Sequence, residues 1–143
     1  MSDDPHDLSR FVEAQETNYS QALDELRAGR KRSHWMWYVF PQFAGLGNSS
    51  MSMRYAIKSE DEAGAYLAHS ILGPRLIECA EAVLAINDRS AHDIFGSPDD
   101  MKLRSCATLF GHVSPPGSVF HRILDQYYSS EGDQKTLALL GIK

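Results

Sequence analysis

Cysteine is scarce: the 143 residues hold two, Cys79 and Cys106, each in apolar surroundings and with no CxxC spacing. A disulfide framework and a cysteine-rich zinc site are thereby excluded, and a reduced, cytoplasmic setting is expected. The six histidines form no HxxxH or HExxH pair, so no metal centre is expected. Long apolar runs are missing as well. The longest uncharged one, residues 35–41, falls far short of the roughly 20 residues that cross a bilayer, and the first residues are acidic rather than basic and then apolar. Neither a membrane span nor a secretory leader is expected. Internal repeats and low-complexity linkers are also lacking. What remains, 43% hydrophobic and 23% charged, is the composition of one globular domain, and disorder is a poor reading.

Acidic residues are absent from one stretch altogether. Residues 1–29 carry seven acids and two bases, residues 59–143 carry twelve acids and seven bases, and residues 30–58 carry five bases and no acid. The same stretch holds six of the fourteen aromatic residues and three of the five methionines, so charge and aromatic content peak together. With a pI near 5.6 and acidic segments on both sides, nucleic acid is a poor partner, whereas a pocket drawing on five bases suits one or two phosphates.

Helix signals recur along the chain, and the fold expected is all-α, a single domain over residues 1–143 with six to eight helices. Asp4 and Pro5 open a first segment with apolar positions at Leu8, Phe11, Val12, Leu23 and Leu26, and Gly29 is a natural stop. Ser59 followed by Glu60, Asp61 and Glu62 is a capped start. Gly73 and Pro74 interrupt or restart the next segment. Ser97, Pro98, Asp99 and Asp100 open a helix with Leu103, Cys106, Ala107 and Phe110 on one stripe, and two shorter helices come after it. Residues 35–40 read equally as a short helix or a short extended segment, since periodicity does not separate the two.

The candidate site lies in the acid-free stretch. Arg30, Lys31 and Arg32 precede His34, Trp35, Trp37 and Tyr38, with Gln42 behind them. Flat aromatic faces stack on a base while arginines neutralise phosphate, the recipe for a nucleotide-like ligand. The same run is also what a small core needs, and bases after a helix end complement its dipole. The loop that brings Ser49, Ser50 and Ser52 could cradle an anion, although it matches no named phosphate motif. Lys102 and Arg104 add bases on the helix after Ser97, on a polar face that continues through Thr108 and His112. For proton transfer, His34 is the best placed histidine, and Glu62 is among the nearest carboxylates, with helix capping as its alternative role.

Residues 11–15 (FVEAQ), 33–42 (SHWMWYVFPQ), 62–75 (EAGAYLAHSILGPR), 94–96 (IFG) and 102–110 (KLRSCATLF) together resemble the bacterial family of unknown function numbered 1810. The resemblance covers nearly the whole chain and implies a small, mainly helical, cytosolic protein with no established activity. Some members carry a calpastatin-like label, which belongs to disordered repeat chains, whereas this composition builds a core. A fainter likeness, through Glu62, Ala63, Leu72, Gly73 and Arg75 and the helix opening at Asp99 to Lys102, is to NADAR-type N-glycosidases. The function expected is binding of a phosphorylated, nucleotide-like small molecule, with hydrolysis of an N-glycosidic bond as the associated chemistry. An aromatic face would hold the leaving base, Glu62 would stabilise developing positive charge, and His34 would move a proton. No cofactor is expected. The alternative is a non-enzymatic interaction module in which the aromatic run anchors a homodimer.

Overall fold

In the computed structural model, which describes residues 4–142, side chains at five positions satisfy the free amides of helix first turns. Ser49 heads α4 (Ser50–Arg54), Ser59 heads α5 (Glu60–Ala68), Ser90 heads α7 (Ala91–Phe95), Ser118 heads α9 (Val119–Tyr127) and Asp133 heads α10 (Gln134–Leu139). At Ser90 the bond is reciprocated by Asp93, a capping box. The remaining helices are α1 (Ser9–Glu16), α2 (Tyr19–Arg27), α3 (Met36–Val39), α6 (Leu72–Leu84) and α8 (Asp99–His112). The fold is mainly α, as expected, and the described residues form ten helices rather than six to eight.

The extra helices have local causes. The first segment is broken at Thr17 and Asn18, polar residues of low helix preference, where Gln15 and Asn18 turn to bind Tyr38. It also begins later than Pro5: Asp7 sits at φ 50°, and the Asp4 carboxylate accepts the Leu8 and Ser9 amides at 2.7 and 2.9 Å. Residues 36–39 are helical, not extended, because the Val39 and Phe40 amides reach back to the Trp35 and Met36 carbonyls. Gly73 restarts the chain as α6 and tolerates no side chain, since a Cβ there would stand 2.1 Å from the Leu67 carbonyl oxygen. An isolated parallel bridge joins Phe43 to Ile57, with Ala44 donating to Ile57 at 2.8 Å and Ile57 donating to Gln42 at 2.9 Å.

The two longest helices organise the rest. α8 packs against α5, α7, α9 and α10, and α6 against α2, α5 and α9. From Ser105 to Gly111 every residue of α8 is buried, so the face expected to be polar is partly core. The Thr108 hydroxyl donates to the Arg104 carbonyl and accepts the Asp133 amide, which ties α10 to α8. A chain of aromatic contacts crosses the centre. Phe11 meets Tyr66 edge-on with centroids 5.1 Å apart, and Tyr66 touches Phe110, which touches Phe120. Cys79 and Cys106 lie in this core, and burial pushes both thiols up, that of Cys79 to about 12. They are packing residues, not nucleophiles. No described helix is long and apolar enough to cross a membrane.

Candidate functional site

The basic triplet is divided by the way the chain leaves α2. Gly29, at φ 79°, lets the Arg30 amide close back on the Glu25 carbonyl. Lys31 then turns inward. Its ammonium lies 2.8 Å from Asp99 and 5.0 Å from the centre of the Trp35 ring. Arg30 and Arg32 point outward and are exposed.

Glu25 fixes the path of residues 32–35. Its buried carboxylate accepts the Arg32 and Ser33 amides at 2.7 and 3.0 Å, the Ser33 hydroxyl at 2.7 Å and the Trp35 indole N–H at 3.0 Å. Burial alone would raise this carboxyl; the four donors outweigh it and hold the pKa below the usual carboxylate value. Trp35 is thereby drawn fully inside, along with Met36, Tyr38, Val39 and Phe40. Most of the aromatic run is therefore core, and Trp35 and Tyr38 are packing residues instead of ligand contacts. Trp37 is the half-buried exception.

Trp37 forms one wall of a cleft of about 320 Å³. The other walls are residues 42–48 and residues 52–58, the two segments that the Phe43–Ile57 bridge holds together. Phe43, Met53 and Tyr55 add apolar surface, and Gln42, Asn48, Ser52 and Lys58 supply polar groups. Gly47 allows the closest approach: a Cβ there would lie 2.7 Å from Ser52 Cβ. Among the described residues that line the cleft there is neither a carboxylate nor a histidine. Its electrostatics favour a neutral or anionic occupant, with Lys58 as the charged contact.

Two arrangements stand behind these walls, one buried and one half-buried. Arg10 donates to the Arg54 carbonyl at 2.8 Å, to the Ala56 carbonyl at 2.9 Å and to Glu62 at 2.7 Å, while Glu62 also accepts the Lys58 amide at 3.1 Å. One buried ion pair thus pins residues 54–58. Behind Trp37, the Lys102 ammonium lies 5.5 Å from the indole centre and 3.6 Å from Asp99, the same carboxylate that holds Lys31. Asp99 therefore clasps two lysines, each set over one of the tryptophans.

Of the residues expected at one site, the structure brings together Trp37, Gln42 and Ser52, with Lys102 against the indole. Ser49 caps α4 and bonds Ser52, and Ser50 is exposed at its first turn. His34 is exposed and outside the cleft lining, and both Glu62 oxygens are engaged, so the two are not assembled as a catalytic pair. Arg104 binds the Glu131 carbonyl at 2.9 Å and lies over Tyr128. Asn48, in the loop expected to cradle an anion, also lines the cleft, and so do Phe43, Met53, Tyr55 and Lys58, which were not expected there although all lie in the acid-free stretch. No described group of three His, Cys, Asp or Glu residues is placed to hold a metal ion.

Fold and cleft together define a small, mainly helical domain with one aromatic-walled, carboxylate-free cavity. The chain belongs to the DUF1810 family of proteins of unknown function, which it matches over residues 5–140. It is similar to the conserved hypothetical protein Rv1873 from Mycobacterium tuberculosis, whose crystal structure superposes with a TM-score of 0.95. The two are 51% identical over 98% of this chain and 100% of that one. No curated protein matches the chain.

Proposed function

We propose that this protein binds a small nucleotide-like molecule, with a planar ring against Trp37 and one anionic group at Lys58. The observation that carries the reading is the separation of Trp37 from the rest of its run: five neighbours are packed inside, and this ring alone is left to line a cleft. Tyr55 and Phe43 offer further flat surface, and the Gln42 and Asn48 amides offer the donor and acceptor pairs that a base edge requires. The reading is one of binding. Glycosidic hydrolysis needs a group to stabilise developing positive charge, and the cleft lining supplies no carboxylate for it.

Intrinsic fluorescence tests this directly, because Trp35 is sealed in the core and Trp37 is not. Titration with AMP, ADP-ribose, NAD and a flavin nucleotide, corrected for absorption, should give saturable quenching with at least one of them and none with plain phosphate. Trp37→Phe should abolish that response, and Lys58→Ala should weaken it. A flat titration with all four would refute the proposal. In that event sedimentation at low and high concentration tests the alternative, a self-associating module, since Met53 at the cleft is 64% exposed and Leu139, packed on Gly45, is 45% exposed.

A further inference from the structure

We infer a second binding site, distinct from the cleft, in which Arg30 and Arg32 take the phosphate of a hydroxyl-bearing phosphomonoester. A shallow groove of about 580 Å³ runs along the outer face of α2 and shares no lining residue with the cleft. Arg30 and Arg32 line it together with Thr17, Ser20, Asp24 and Glu25.

Three features make this more than two surface arginines. First, Lys31 is held inward by Asp99, while its two neighbours both line the groove. Second, neither guanidinium has a hydrogen bond or ion pair among the described residues; Arg89 and Arg122 share that condition, but Arg30 and Arg32 line one groove together. Third, the backbone that carries them is fixed. The Arg30 amide is bound by the Glu25 carbonyl and the Arg32 amide by the Glu25 carboxylate, so the points from which the two side chains leave the main chain are set before any ligand arrives.

The neighbours narrow the chemistry. Paired guanidinium groups match the oxygens of a phosphate. Asp24 would repel a bare anion, yet it accepts hydrogen bonds from hydroxyls, as Thr17 and Ser20 also do. The groove carboxylate of Glu25 is already engaged by four donors, three on Oε1 and one on Oε2. A phosphate joined to a polyol or sugar can engage both the guanidinium groups and the hydroxyl acceptors, and a bare phosphate only the former.

The probes are D-ribose 5-phosphate, inorganic phosphate, sulfate and ribose, read by NMR of the arginine Nε–H and tryptophan indole signals in the full chain. The expected result is saturable movement of the Arg30 and Arg32 signals with ribose 5-phosphate, at an affinity at least tenfold above that for ribose. Arg30→Ala with Arg32→Ala should weaken binding at least tenfold and leave the Trp37 signal and the melting temperature unchanged. Should that double variant fold poorly, Arg30→Gln with Arg32→Gln preserves length and polarity and serves the same purpose. Asp24→Asn should shrink the preference for ribose 5-phosphate over inorganic phosphate. Equal responses to phosphate, sulfate and the sugar phosphate would mean an adventitious ion only and would overturn the inference. So would binding undiminished in the double variants, or a response confined to the Trp37 indole signal.

Discussion

Replacing Glu62 by glutamine should damage the fold before it touches any chemistry. The Arg10 and Glu62 side chains are 7% and 3% exposed, with 2.7 Å between Nη2 and Oε2. Glutamine keeps the volume and an acceptor for the Lys58 amide but leaves the buried guanidinium without its counter-charge. Breaking a buried pair in this way costs about 3–5 kcal/mol. Arg10 retains four backbone carbonyl partners, those of His6, Asp7, Arg54 and Ala56, so the lower end of that range is expected. At roughly 3 °C per kcal/mol for a domain of this size, the loss is about 9 °C in Tm. Equilibrium urea unfolding of Glu62→Gln and of Arg10→Met with Glu62→Gln measures it, and the double variant should cost less than the sum of the two singles because the partners are coupled. A Glu62→Gln protein within about 0.5 kcal/mol of the parent, the range of an ordinary surface substitution, would refute its structural role and return Glu62 to the candidate catalytic groups.

Glu25 gives a pH dependence of definite sign. Its folded pKa lies below its unfolded value, so its contribution is present above the unfolded value and is lost as pH falls through the folded one, below the ordinary carboxylate value of 4.5. Glu25→Gln should flatten acid unfolding in that window and cost about 2–3 kcal/mol at neutral pH, by leaving backbone and indole donors poorly matched; an unchanged acid limb would contradict it. Gly73→Ala should cost at least about 3 kcal/mol by denaturant unfolding, because its Cβ meets the Leu67 backbone rather than a flexible tip. Lys102→Ala should shift Trp37 emission and leave Trp35 emission in place, as read in the Trp37→Phe background, since the two lysines stack on different rings.

The parts of this fold that were legible in the sequence are those set locally. Ser59 with three acids behind it and the run Ser97, Pro98, Asp99, Asp100 announce helix starts within one turn, although α8 begins at Asp99 with Pro98 at its cap position and no side-chain cap, and Gly29 announces a stop. The site was half legible. The absence of acid from residues 30–58 does mark the stretch that builds the cleft, but which rings face it is decided by partners far away in the chain. Trp35 is drawn inward by Glu25, ten residues earlier, and residues 54–58 are pinned by Arg10, more than forty residues earlier. Neither pairing leaves a periodic trace. Glu62 illustrates the same limit: its place in a first helical turn suggested capping or catalysis, and its partner is on α1's opening residues.

On the proposed function, Trp37 and not Trp35 is the ring that faces the ligand. The two indole N–H signals of the labelled protein, assigned by Trp37→Phe, test it in one titration with the nucleotide that quenches fluorescence most strongly. The Trp37 signal should move saturably while that of Trp35, bonded to Glu25, stays fixed. Movement of Trp35 alone, or of neither, would contradict the account.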